Sequence, residues 1–170
     1  MRNTCSHRAA TPAIAMAAVA AFVPAAATAD STSGTINYQS KSGPIVVNVT
    51  NVYMIKGPDA VSHKAMRELI FTSADVGAKL QTCASMMCAS GNVLEGMTVD
   101  FDVGPRLNYW VVGNGQKVQY SGTVKPDESL KLIADSAEHL AGSLTIDDSA
   151  TGGATVNVKF DATIFKQFSK

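Results

Sequence analysis

The dipeptide Asn114-Gly115 is the feature that most constrains how this chain can fold. Asparagine and glycine readily adopt the positive φ angles that both central residues of a two-residue hairpin turn require. A turn here predicts two antiparallel strands in which Gly113 faces Gln116 and Val111 faces Val118. Because side chains alternate between the two faces of a strand, this register assigns each neighbouring residue to one face of the hairpin.

The predicted register gives the hairpin one apolar face and one polar face. The apolar face carries Leu107, Tyr109, Val111, Val118 and Tyr120. The polar face carries Asn108, Trp110, Val112, Lys117, Gln119 and Ser121. Trp110 is the only tryptophan of the chain, and it therefore lies among amide and amine side chains.

A large aromatic side chain on a polar strand face is typical of surfaces that bind partners or apolar ligands. We therefore interpret this face as a binding site for an unknown protein or small molecule. Its predicted ligand-binding residues are Trp110, Asn108, Gln119 and Lys117. The alternative is that a loop, or the segment 83–88, covers the tryptophan and makes it part of a second core.

Alternation of apolar and polar residues elsewhere predicts further short strands. The pattern occurs in residues 34–39, 45–52, 69–71, 97–103, 140–146 and 156–160. Two short helical segments are expected, one from Ala74 to Cys83 after a capping Ser73, and one within residues 59–67. This pattern predicts an all-β, mainly antiparallel fold, either a single-domain β-sandwich or a closed barrel-like sandwich with one or two short helices.

The first 29 residues show the three parts of a secretory signal peptide. Arg2 and Arg8 give a positive start, an apolar stretch covers residues 9–23, and Ala27-Thr28-Ala29 supplies small residues for cleavage. The apolar stretch is shorter than the roughly 20 residues that a transmembrane helix needs. We therefore expect a signal peptide at 1–29 and a periplasmic or secreted protein.

The remaining residues 30–170 are expected to form a single β-rich domain. Without the two arginines of the signal segment, 12 basic residues face 14 acidic ones, so the net charge is −2. No basic run is present, which argues against a nucleic-acid partner. No later stretch is long and apolar enough for a transmembrane segment.

Two cysteines remain after removal of Cys5 with the signal segment. Cys83 and Cys88 are separated by four residues, and in an exported protein such a pair is expected to form a disulfide. A thioredoxin-like redox site would have two intervening residues instead of four. The pair is therefore predicted to be structural, and the sequence implies no cofactor.

Four soft or borderline donors allow an alternative function as a periplasmic copper-binding protein. Met86 and Met87 lie between the two cysteines, and Met66 and His63 precede them in the chain. Thioether and imidazole groups suit Cu(I). The competing interpretation is that the methionines fill gaps in the core.

A second alternative is a hydrolase that uses Asp100 or Asp102 together with His63 or His139. The two aspartates are two residues apart on a predicted strand, so they are expected to share one face. An ordinary solvated strand face explains the same pattern. No nucleophile motif accompanies these residues, so we assign no catalytic residue and leave open whether the protein is an enzyme.

Overall fold

The computed structural model describes residues 30–104, 107–118 and 126–169. Most of these residues belong to strands. The strands are β1 (Ser31–Ser40), β2 (Gly43–Val49), β3 (Asn51–Pro58), β4 (Ala65–Thr72), β5 (Gly96–Phe101), β6 (Asn108–Gly113), β7 (Gln116–Val118), β8 (Leu130–Asp135), β9 (His139–Asp147) and β10 (Ala154–Gln167). The helices are α1 (Gly77–Thr82), α2 (Met86–Gly91) and α3 (Pro126–Ser129), with a 3-10 turn at Ser149–Thr151.

Strand β10 connects the two parts of the sheet. Its first part pairs with β1 on one edge and with β9 on the other, both antiparallel. Its last part, from Ile164 to Gln167, pairs with β3 in parallel, with a register shift between Ile164 and Lys166. The order is β2-β1-β10-β3-β4-β5-β6-β7, with β9 and β8 branching from β10.

Apolar side chains from both parts of the sheet pack into one main core. Ile36 and Val156 contribute from the β1–β10 side, and Leu69, Val99 and Tyr109 contribute from β4, β5 and β6. All five are buried. The described pairings are antiparallel except for the one between β3 and β10. The prediction of an all-β, mainly antiparallel fold with a few short helices is therefore confirmed.

The predicted hairpin is β6–β7, and its register is as expected. Gly113 pairs with Gln116 and Val111 with Val118. Asn114 and Gly115 have φ angles of 53° and 71°, as the turn requires. The adjacent Tyr109 is fully buried on the core face. The predicted face residues Gln119, Tyr120 and Ser121 lie outside the described residues.

The opposite face of β3–β6 carries a second apolar cluster. Helices α1 and α2 cover part of this face. The cluster consists of Tyr53, Ile55, Met66, Ile70, Val76, Leu80, Cys83, Met86, Ala89, Val93, Val112 and Phe168. Because both helices have only six residues, they leave the rest of the face uncovered.

The helix predicted from Ala74 to Cys83 is shorter than expected. Asp75 lies before the helix, where its carboxylate accepts hydrogen bonds from the Tyr53 hydroxyl at 2.6 Å and from the Gly77 amide at 2.8 Å. These bonds hold Asp75 outside the helix, so α1 begins at Gly77. The helix α2 was not predicted. It begins after Ser85, whose hydroxyl oxygen accepts a hydrogen bond from the Cys88 amide at 3.3 Å.

The prediction of a helical segment within residues 59–67 is wrong. Asp59 accepts hydrogen bonds from the amides of Val61 and Ser62, and its own amide donates to the Lys64 carbonyl at 2.8 Å. These bonds close a short turn between β3 and β4. Strand β4 therefore already begins at Ala65.

The link between α1 and α2 is fixed in two ways. Cys83 and Cys88 lie at disulfide distance, with their Cα atoms 5.4 Å apart, as the sequence predicts. The ammonium of Lys166, on β10, donates to the Gln81 carbonyl at 2.6 Å. The two short helices are thereby held against the second face of the sheet.

Candidate functional site

A cavity of about 550 Å³ opens where the helices leave the second sheet face uncovered. Binding sites for small molecules typically have volumes of about 300–1,000 Å³. The strands contribute Met66, Glu68, Thr98, Asp100, Trp110 and Lys117. Helix α2 and its cap contribute Ser85, Met86, Met87 and Ser90. The end of β3 and the turn after it contribute Pro58, Asp59, Ala60 and His63.

The strand register brings the polar side chains of the floor together. Glu68 of β4 pairs with Asp100 of β5, and Thr98 pairs with Trp110 of β6. Residues directly opposite each other in antiparallel strands point to the same face with Cβ atoms about 5 Å apart. The two carboxyl groups are therefore side by side beneath the cavity.

The Glu68–Asp100 pair is the most unusual chemical feature of the floor. Glu68 is only 6% exposed, and its Oε1 accepts a hydrogen bond from the Ser90 hydroxyl at 2.6 Å. Oδ1 of Asp100 is buried and has no hydrogen-bond partner among the described residues. Two adjacent carboxyl groups cannot both be ionised without strong repulsion.

Burial raises the pKa of both carboxyl groups, since it penalises the charged form. The hydrogen bond between them raises the pKa of Glu68 further but lowers that of Asp100. The negative charge of Asp59 raises the pKa of Asp100, whereas the positive charge of Lys117 lowers the pKa of both groups. The pKa of Glu68 is therefore the higher of the two, so that Glu68 is the group that retains a proton and Asp100 is the group that ionises first.

Two of the four residues predicted to bind a ligand line this cavity. Trp110 is partly buried in its wall, and Lys117 is exposed at its margin. Asn108 pairs with Asp100 on the same sheet face but does not line the cavity, and Gln119 lies outside the described residues. The residues of α2 lie beside the sheet face that carries Trp110, so this face is part of a concave surface. A hairpin alone would present a flat face.

The expectation that Asp100 and Asp102 share one face is wrong. Strand β5 ends at Phe101, and Asp102 has a φ angle of 72°, so the alternation of side chains stops before it. The Asp102 carboxylate instead forms a two-point ion pair with Arg67, at 2.6 and 2.7 Å. Arg67 also donates to Asp135 at 2.7 Å.

The two histidines of the hydrolase hypothesis are in different places. His63 lines the cavity together with Asp100. It has a φ angle of 58°, which is uncommon for a residue other than glycine. His139 Nε2 lies 2.8 Å from Asp161 Oδ1, outside the cavity. The structure therefore brings together one aspartate and one histidine of the four residues.

All four predicted copper donors, His63, Met66, Met86 and Met87, line the cavity. A Cβ atom placed at Gly57 would lie 2.8 Å from Met86 Sδ, and Gly57 pairs directly with Met66. The thioether of Met86 therefore lies over the backbone next to Met66. Within the described residues, no three His, Cys, Asp or Glu side chains form a group that could hold a metal ion.

Sequence reasoning missed Glu68, Ser90 and Thr98. Glu68 is followed by Leu69-Ile70-Phe71, and a charged residue next to a continuous apolar run indicates a strand that is buried on both faces. That signal was available in the sequence. Ser90 lies in the unpredicted α2, and Thr98 has the same appearance in sequence as any polar strand residue.

The chain matches no protein-family model, no curated protein and no solved structure. The chemistry of the cavity is therefore the basis for any functional assignment.

The buried position of Glu68 predicts a specific dependence of stability on pH. Its pKa is raised above the ordinary value of 4.5, so its favourable contribution is complete below that pH and is lost as the pH rises through the raised pKa. Glu68→Gln keeps the hydrogen-bonding shape without the ionisation. Between pH 4.5 and pH 9, urea unfolding should show a gain of at least about 1.4 kcal/mol for this variant relative to wild type, the equivalent of one pKa unit.

Asp102→Asn is the control for this experiment. Arg67 lowers the pKa of Asp102, so that ion pair contributes stability above the ordinary pKa and loses it as the pH falls. Between pH 4.5 and pH 9 the stability difference between Asp102→Asn and wild type should therefore stay nearly constant, and it should shrink only as the pH falls below about 3.8. A Glu68→Gln protein whose unfolding free energy follows that of wild type across the range contradicts a protonated Glu68.

Proposed function

We propose that this protein is an exported binding protein that captures a small ligand in the cavity beside Trp110. The observation that carries the proposal is the cavity itself. It combines an aromatic wall, buried thioethers and a pair of adjacent carboxyl groups, of which Glu68 is buried and Asp100 partly buried. Binding sites for small molecules typically join apolar walls to a few placed polar groups in this way.

Export is supported by the composition of residues 1–29 and by the pairing of Cys83 with Cys88. Disulfides persist mainly in oxidising compartments such as the periplasm. None of the helices in the described ranges has the length and apolarity for crossing a membrane.

Mass spectrometry of the exported protein should find Asp30 at the N-terminus. An intact N-terminal segment on the exported protein would contradict a cleaved signal peptide.

The role of Trp110 is tested against its neighbour Tyr109, which points to the opposite face of β6. The ligands to test are those that change the tryptophan emission of the wild-type protein. Calorimetry should show that Trp110→Ala binds them at least about tenfold more weakly than wild type does. The unfolding free energy should fall by clearly less than the roughly 3–5 kcal/mol that is typical of a core aromatic.

Tyr109→Ala should show the full loss of a core aromatic, because Tyr109 is completely buried and its hydroxyl donates to Asp148 at 2.6 Å. Equal destabilisation by the two variants would mean that Trp110 is a core residue. The proposal would then lose its main contact residue.

Binding of Cu(I) is a second candidate function of the same cavity, favoured by the convergence of three methionines and His63. Met66 and Met86 are buried in its wall, whereas Met87 is 70% exposed. Thioethers do not ionise and are soft ligands, so they suit Cu(I) in a compartment where cysteines form disulfides.

Titration with Cu(I) in the presence of a competing chelator tests this candidate. The wild-type protein should retain one equivalent, and the double variant Met66→Leu, Met86→Leu should lose it, since leucine fills a similar volume without a donor. Met97→Leu is the matched control, because Met97 is buried in the main core. Transfer of all copper from the wild-type protein to the chelator would exclude the candidate.

A further inference from the structure

We infer that the ligand of this cavity is a small organic ammonium ion, whose N–H group donates to the Asp100 carboxylate and whose apolar body packs against Trp110. The inference rests on the proposed binding function and specifies the chemical class of the ligand.

The first argument is the position of the Asp100 carboxylate. Asp100 lines the cavity and is partly buried, while the neighbouring Glu68 is bonded to Ser90. A carboxylate that is partly withdrawn from water forms strong hydrogen bonds with a charged donor. A ligand that brings an N–H donor to this carboxylate from the cavity would supply such a bond.

The second argument is charge. The titratable side chains that line the cavity are Asp59 and His63 of the turn, Glu68 of β4, Asp100 of β5 and Lys117 of β7. Glu68 holds the proton of the carboxyl pair, so Asp100 is the charged group of the floor. Lys117 is exposed, whereas Asp59 adds a second negative charge. A cation is therefore the complementary ligand for the floor.

The third argument is the shape and material of the walls. The face of an indole ring attracts cations, and tryptophan is the strongest aromatic side chain in this respect. Met66 and Met86 supply flexible apolar contacts around the same space. A volume of about 550 Å³ exceeds the needs of a bare ion and fits an amine with an apolar group attached.

The experiment compares four probes of nearly the same size, with calorimetry and Trp110 emission as readouts. They are 2-phenylethylammonium, neutral 2-phenylethanol, anionic 3-phenylpropanoate, and trimethyl(2-phenylethyl)ammonium, which has the charge but no N–H group. The first should bind at least about tenfold more tightly than each of the others, because only it offers both the charge and the donor.

Three variants separate the contributions. Asp100→Asn should lower the affinity for 2-phenylethylammonium by about tenfold or more. Lys117→Gln should raise that affinity, since an exposed positive charge is removed from the margin of the cavity. Asp102→Asn, the same change two residues further on, should leave the affinity unchanged. Lys117 is exposed, so its variant is informative even where Asp100→Asn fails to fold.

Each result distinguishes the inference from the function on which it rests. Equal affinity for the ammonium and the alcohol, or weaker ammonium binding by Lys117→Gln, overturns the ammonium inference but leaves the binding function. Failure of all four probes to change the Trp110 emission or to release heat overturns the ammonium inference. If a wider panel of small molecules also leaves Trp110 unaffected, the binding function is overturned as well.

Discussion

The register that joins β4, β5 and β6 is the constraint on which the rest of the structure depends. It places Leu69, Val99 and Tyr109 in the main core and, in the same strands, Glu68, Asp100 and Trp110 on the opposite face. A shift by one residue would exchange the two faces and bury both carboxyl groups in the main core. The packing of the main core thereby also fixes the geometry of the cavity floor.

The parts of the fold that could be predicted from sequence are those with local signals. Asn114-Gly115 determines its own turn, and alternation identifies strands that have one buried face, such as the first part of β10. Strand β4 has buried residues on both faces, so it shows a continuous apolar run in place of alternation. Helix α2 has six residues, too few for a periodic pattern.

The cavity could not be predicted because it arises from contacts between distant segments. It requires α2 to lie over one end of the sheet, and this position depends on Cys83 with Cys88 and on Lys166 of β10. Trp110 and Lys117 could be predicted as site residues because the hairpin register places them on one face. Glu68 reaches the same site only through the pairing of β4 with β5. Asp102 was misplaced because a single positive φ angle ended the alternation. Natural sequences depart from local rules of this kind mainly at sites with a function.

The branching of the sheet at β10 has a consequence for how the chain acquires its structure. Ser31 pairs with Asp161, and Met54 pairs with Ile164, so β1 and β3 both depend on a strand more than 100 residues away in sequence. Contacts of such long sequence separation slow folding, since the chain must close large loops before they form. Neither part of the sheet is complete until residues 154–167 are available. A nascent chain that still lacks these residues therefore cannot close either part of the sheet.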